Sequence, residues 1–402
     1  MTDLPLFPVT TVGSWPRTNE LLRAQKRLRT GQTSQAVFDA EADRAVEEYL
    51  QLQEEVGVDI VTDGEQRRDN FLSFVAGKLH GVRMMTLAEI MEIIEDKAGF
   101  ERILQTLDVP SYAISNPVCV GPISRSEPIA GNEYEFVRRH TDKPVKVPLP
   151  GPYILTRSMW VKEAARDTYP TKEDLGEDVV QVLREEVREL VAAGADFIQF
   201  DEPVLTELVF TQGETRTFMC AALAARKDPA EELEFAVSML NRVLEVAGDT
   251  RVALHVCRGN WSRDESTLLQ GSYHPLKPYL ERMNVRQLVL EYATDRAGEV
   301  LAFEGKELGM GVVNPRIDEI ETPARIRGRV ERGLELYDSA QLFLNPDCGF
   351  STFANRPMNS RDLARRKLEA MVSAARELRA ATSTRSPASQ LEATSTFRNP
   401  ER

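Results

Sequence analysis

The sequence predicts a single (β/α)8 barrel, and three observations predict it. Eight short apolar runs recur along about 370 residues, amphipathic stretches of helical period separate most of them, and nearly every run closes on a polar or charged residue. Alternation of strand and helix patterns builds a parallel sheet with helices packed on it. One barrel with an insertion accommodates 402 residues better than two separate domains do.

The elements follow in order. "FPVTTVG" at residue 7 is the first strand, a helix is expected over 34–56, and "VDIVTDGE" is the second strand. Residues 83–143 exceed what a strand-to-helix loop needs and read as an insertion after strand 2. The insertion contains a helical pattern at 87–106, followed by "YAISNPVCVGPI", which suits a hairpin. "VKVPLPGP" is strand 3, followed by a helix over 172–193 in which Val179, Leu183, Val187 and Leu190 recur at helical spacing. Thr171 fits its N-cap and Gly194 its stop. "ADFIQFDEP", a helix over 230–247, "RVALHVC", "RQLVLEY", a helix over 297–307, "LGMGVVNPR", a helix over 322–337, "AQLFLNPDCG" and a helix over 358–381 complete the eight units. Residues 382–402, rich in Ser, Thr, Ala and Pro, are expected to form a disordered tail, leaving 1–381 as one domain. No solenoid-length repeat and no glycine-rich phosphate loop occurs.

The bulk composition narrows the partners. A net charge of −13 without a Lys/Arg cluster argues against nucleic acid and anionic membranes and for a small molecule. With no signal-peptide pattern at Met1 and no run approaching a membrane span, a cytoplasmic location is expected. The four cysteines, Cys119, Cys220, Cys257 and Cys348, are too scattered for a disulfide framework.

Residues at the carboxyl ends of barrel strands face the shared mouth where barrel enzymes carry their chemistry. Here these are Ser14, Asp63, Glu65, Asp201, Glu202, His255, Cys257, Glu291, Asn314, Arg316, Asp347 and Cys348. His255 and Cys257 lie two apart on one strand and so point to the same side. With Glu291 and Cys348 they make a nitrogen, two thiolates and a carboxylate, a four-coordinate set of the type zinc accepts. A site of that composition suits activation of an added thiol, because metal coordination lowers a thiol pKa. Glu65 and Asp201 need a cation in an apolar mouth, either a substrate ammonium group or a local arginine such as Arg67 or Arg68. Ser14, after Gly13, offers donors to a carboxylate but is also ordinary turn chemistry.

"VGSWPRT", "VTDGEQRRDNF", "PLPGPY", "IQFDEP", "LHVC", "LVLEY" and "FLNPDCGF", in this order, resemble the catalytic barrel of the cobalamin-independent methionine synthase family, within the uroporphyrinogen-decarboxylase-like superfamily. The resemblance runs from about residue 7 to 380. The family's full-length enzymes carry a second, N-terminal barrel, and this chain resembles the short, single-barrel members. The resemblance implies zinc on His255, Cys257, Glu291 and Cys348, the homocysteine ammonium on Glu65 and Asp201, and its carboxylate near Ser14. The implied reaction is methyl transfer to homocysteine, giving methionine, with the donor left open between a methyl-folate and a methyl-corrinoid.

Three departures stand out. The family's proton-donor histidine is absent from "VVNPRIDEIE", which leaves no catalytic acid assigned and only Arg316 nearby. "CGFSTF" replaces the family's run after the last ligand, and Trp160 stands out of register with the folate-stacking tryptophan. Alternative readings are an epoxyalkane:coenzyme M transferase-type thiol addition, a zinc-free superfamily decarboxylase, and a non-catalytic barrel with structural zinc.

Overall fold

The computed structural model describes residues 4–98, 115–210, 228–260, 262–263 and 268–384. Its centre is a six-stranded parallel sheet in sequence order: β3 (Lys146–Pro150), β4 (Phe197–Asp201), β5 (Arg251–Val256), β6 (Gln287–Leu290), β7 (Glu307–Val313) and β8 (Leu342–Pro346). These strands are almost wholly buried, which is the pattern of parallel strands covered on both faces.

The first two expected strands contribute bridges instead of regular strands. Val9 pairs with Leu344, Thr10 with Ile60 and Val61 with Val145, all parallel. Backbone bonds follow the same path, from Leu344 N to Pro8 O, Ile60 N to Val9 O, and Lys146 N to Val61 O. Pro8 has no N–H to extend its pairing with β8.

The helices lie against this sheet. Gln35–Val56, Lys172–Ala192, Pro229–Leu244, Pro323–Leu334 and Arg361–Thr384 match five expected helices. Thr171 caps Lys172–Ala192 reciprocally with Asp174, each side chain accepting the other's backbone N–H. The helix expected over 297–307 does not form. Only the 3-10 turn Asp295–Ala297 appears, and Gly298, at φ 72°, breaks the chain out of it. Tertiary contacts then hold the segment: Phe303 N donates to the Tyr337 hydroxyl, which donates to Leu301 O.

In the inserted region, β1 (Leu79–Thr86) pairs antiparallel with β2 (Ser115–Arg125). The part of "YAISNPVCVGPI" that is described, from Ser115 on, is thus one strand of a wider hairpin instead of a hairpin of its own, because its partner lies upstream at 79–86. Helix Leu87–Ile93 covers the start of the pattern expected over 87–106, whose end lies outside the described residues, as does the tail beyond Thr384. Among the described residues no helix is long and apolar enough to cross a membrane.

Candidate metal centre

Strand register assembles the centre. β4 and β5 run parallel with Asp201 beside His255, and His255 Nδ1 lies 2.9 Å from Asp201 Oδ1. Nε2 is left buried without a hydrogen-bond partner. A ring nitrogen of His255 and the Sγ atoms of Cys257 and Cys348 lie within 4.8 Å of one another. Ligand atoms around tetrahedral zinc stand about 3.5 to 3.8 Å apart, from bonds of about 2.1 to 2.3 Å, so a small inward adjustment closes the set on an ion. All three side chains are buried, and an imidazole with one unpartnered nitrogen beside two thiol sulfurs is a donor set that suits a thiophilic cation.

The electrostatics agree with that fit. The Cys348 hydrogen bond holds the Cys257 thiol low against its burial, while the same bond and burial push Cys348 well up. A hydrogen bond thus joins the two sulfurs. Burial disfavours charge on His255, but the Asp201 hydrogen bond and the charges of Cys257, Asp201 and Glu291 outweigh it and raise the ring to about 9.

Glu291 reaches the same neighbourhood and is held elsewhere. Its Oε1 accepts from Arg258 N at 2.9 Å and from the Asn260 amide, and its Oε2 accepts from Arg296 at 3.0 Å. Burial raises its pKa, yet Arg296 and Arg258 more than offset that and keep it low. The structure therefore brings together three of the four expected ligands and sets the fourth in an arginine cradle. Arg258, Asn260 and Arg296 were not singled out in the sequence, although Arg258 directly follows Cys257 and Asn260 lies two residues after Arg258.

A cavity opens at the sulfurs, and Ser14, Glu65, Asp201, His255, Cys257 and Cys348 all line it. Glu65 sits at φ 52°, an uncommon conformation for a side chain of its size, with its N–H on Asp63 Oδ1. Its Oε2 is buried without a hydrogen bond. Burial, opposed by Arg68 and Arg17 and reinforced by Asp201 and Asp63, raises Glu65 to about 7. Arg68 instead pairs with Glu133 at 2.5 Å, and Arg67 with Asp43. Arg17, which sequence reading passed over, donates to Trp15 O, Ser351 O, Glu65 O and Arg68 O. One guanidinium thereby ties together the loops that carry Ser14, Glu65 and Cys348.

The remaining strand-end residues serve the frame. Glu202 caps the helix Pro152–Met159 through Tyr153 N and Ile154 N. Asp347 accepts from Tyr292 N and Ala293 N. Asn314 accepts from Arg316 N, and Arg316 is 1% exposed and does not line the cavity. Trp160 is core, donating to Tyr169 O at 3.2 Å.

Residues 7–377 match the family described as cobalamin-independent synthase, catalytic domain. The chain is 28% identical over 353 residues to the methionine synthase of Sulfurisphaera tokodaii, covering 87% of each. It is 30% identical over 387 residues to the 5-methyltetrahydropteroyltriglutamate–homocysteine methyltransferase of Streptomyces griseus, covering 94% of this chain and 43% of that one. Against the enzyme of that name from Thermotoga maritima, identity is 26%, covering 87% of this chain and 42% of the relative. The chain thus spans less than half the length of the longer relatives. A B12-independent methionine synthase from Shewanella sp. W3-18-1, solved in complex with selenomethionine, superposes with a TM-score of 0.72 at 24% identity, covering 94% of this chain and 99% of that one. A family described as independent of cobalamin leaves the methyl-corrinoid donor without support.

Proposed function

Because this chain belongs to the cobalamin-independent synthase catalytic-domain family, we propose that it transfers a methyl group from a methyltetrahydrofolate-type donor to the thiol of homocysteine, giving methionine. We read the six-stranded sheet, continued by the bridges at Val9, Thr10, Ile60 and Val61, as a closed (β/α)8 barrel with the reaction at its mouth. The observation that carries the functional reading is the convergence of His255, Cys257 and Cys348 under a cavity whose wall also bears Glu65 and Asp201.

His255, Cys257 and Cys348, with Glu291 as the fourth member of the set, are the residues that would hold zinc. Zinc bound there supplies a Lewis acid that keeps a substrate thiol deprotonated at neutral pH. Glu65 and Asp201 attract the ammonium end, and Ser14 offers its hydroxyl to the carboxylate end. Two fixed ends orient the sulfur, and orientation converts an encounter into a productive approach to the donor methyl. A coenzyme M-type thiol ends in a sulfonate, which two acidic groups repel, and Arg316 lies outside the cavity wall.

The test is calorimetry on the zinc-loaded protein with homocysteine and with coenzyme M, followed by turnover with methyl-folates. Binding of homocysteine alone and methionine formation are expected. No binding of homocysteine, or a preparation far below one zinc per chain with activity unchanged by chelation, overturns the reading.

A further inference from the structure

We infer that Asp201 is a positioning residue for the metal, fixing His255 so that Nε2 and not Nδ1 is the ligating atom. This goes beyond contact with the substrate ammonium and rests on the proposed zinc site. The geometry carries it. Asp201 Oδ1 accepts from His255 Nδ1 at 2.9 Å and from Gln199 Nε2 at 2.9 Å. Gln199 also donates to Val12 O at 2.9 Å, so the carboxylate is held from behind. Gln199 is fully buried, Asp201 is 6% and His255 3% exposed, and water has little access to compete for the ring. An imidazole donating Nδ1–H to an acceptor has its other nitrogen's lone pair directed away from that acceptor. Here that nitrogen is the buried Nε2 without a hydrogen-bond partner. Metal-bound histidines generally donate their other ring N–H to a carboxylate, a backbone carbonyl or a water, and loss of such a partner weakens metal affinity by about 10 to 100-fold.

The assignment gives Asp201 two separable jobs. Orienting His255 requires an acceptor oxygen at the Oδ1 position, which an amide also provides. Attracting an ammonium group requires the charge, which an amide lacks.

The test measures zinc affinity by competition with a chromophoric chelator, and homocysteine binding by calorimetry, for the unaltered protein, Asp201→Asn and Asp201→Ala. Circular dichroism of the metal-free variants verifies folding. For zinc, D201N is expected close to the unaltered protein and D201A about 10 to 100-fold weaker. For homocysteine, both variants are expected to be weakened alike. A folded D201A that binds zinc as tightly as the unaltered protein overturns the inference while leaving the zinc site standing. D201N as weak in zinc as D201A also overturns it, because charge and not the acceptor would then be the requirement. Absence of zinc binding by the unaltered protein overturns the proposed function and takes this assignment with it.

Discussion

Glu291 Oε2 lies 3.0 Å from a terminal nitrogen of Arg296, and both groups are buried. The carboxylate proposed as the fourth member of the metal set is therefore paired with a cation of the protein's own. Removing one partner of a buried pair costs more than the pair contributes, on the order of 3 kcal/mol, because the other charge stays buried. Arg296→Ala should thus destabilise the metal-free protein strongly and the zinc-loaded protein less, since zinc supplies a new partner for Glu291. Thermal melts with and without zinc check this: the rise in Tm on adding zinc should be larger in R296A than in the unaltered chain.

Cys348 follows β8, lines the cavity and is hydrogen-bonded to Cys257. A serine there keeps nearly the same volume but is a harder and poorer ligand for zinc. Cys348→Ser is expected to lose zinc affinity by more than about 100-fold and to lose thiol methylation with it. Far-ultraviolet circular dichroism should be unchanged. Metal analysis showing one zinc per C348S chain with activity retained removes Cys348 from the site.

Burial raises Glu65 from 4.5 to about 7, which fixes the sign of two pH effects. An ammonium group is attracted by the carboxylate and not by the acid, so homocysteine binding should weaken as pH falls through about 7. Glu65→Gln should bind more weakly at pH 8 and show a flatter profile. Stability moves the opposite way. Between 4.5 and 7 the folded state holds a proton that the unfolded state has released, so folding free energy is lost as pH rises through that window, on the order of 3 kcal/mol in total. Glu202 and Asp347, also raised by burial, bend the curve similarly, and the difference between E65Q and the unaltered protein isolates Glu65. Urea unfolding of the metal-free proteins at pH 5 and pH 8 should show E65Q gaining relative stability at pH 8.

The strand ends were legible in the sequence because a period of two and an apolar run are local signals. His255 and Cys257 could be put on one side of β5 from spacing alone. The hydrogen bond between Asp201 and His255 could not, because it depends on the register between strands 54 residues apart. Glu291 was identified as a residue of the mouth, but its cradle of Arg258, Asn260 and Arg296 exists only once the loops after β5 and β6 fold together. The missing helix over 297–307 has the same origin. Val300 and Phe303 stand three apart among charged residues, a spacing a helix could use, yet Leu301 and Phe303 are buried in an irregular segment whose backbone Tyr337 satisfies.

Gly13 gives the most local test of how the cavity wall is built. A Cβ at this position would overlap Glu65 Oε1 and stand 3.3 Å from Pro148 Cγ, so the absence of a side chain is what admits the Glu65 carboxylate. Glu65 cannot yield easily, since its backbone is fixed at φ 52° with its N–H on Asp63 and its carbonyl on Arg17. Gly13→Ala must therefore displace the carboxylate by side-chain rotation, away from the ammonium site. His255, Cys257 and Cys348 lie on or just after other strands and keep their geometry. The expected result is a homocysteine affinity lowered by about tenfold, equivalent to roughly 1.4 kcal/mol, with one zinc still bound per chain. Loss of zinc in G13A, or homocysteine binding equal to that of the unaltered protein, contradicts the role given to Glu65.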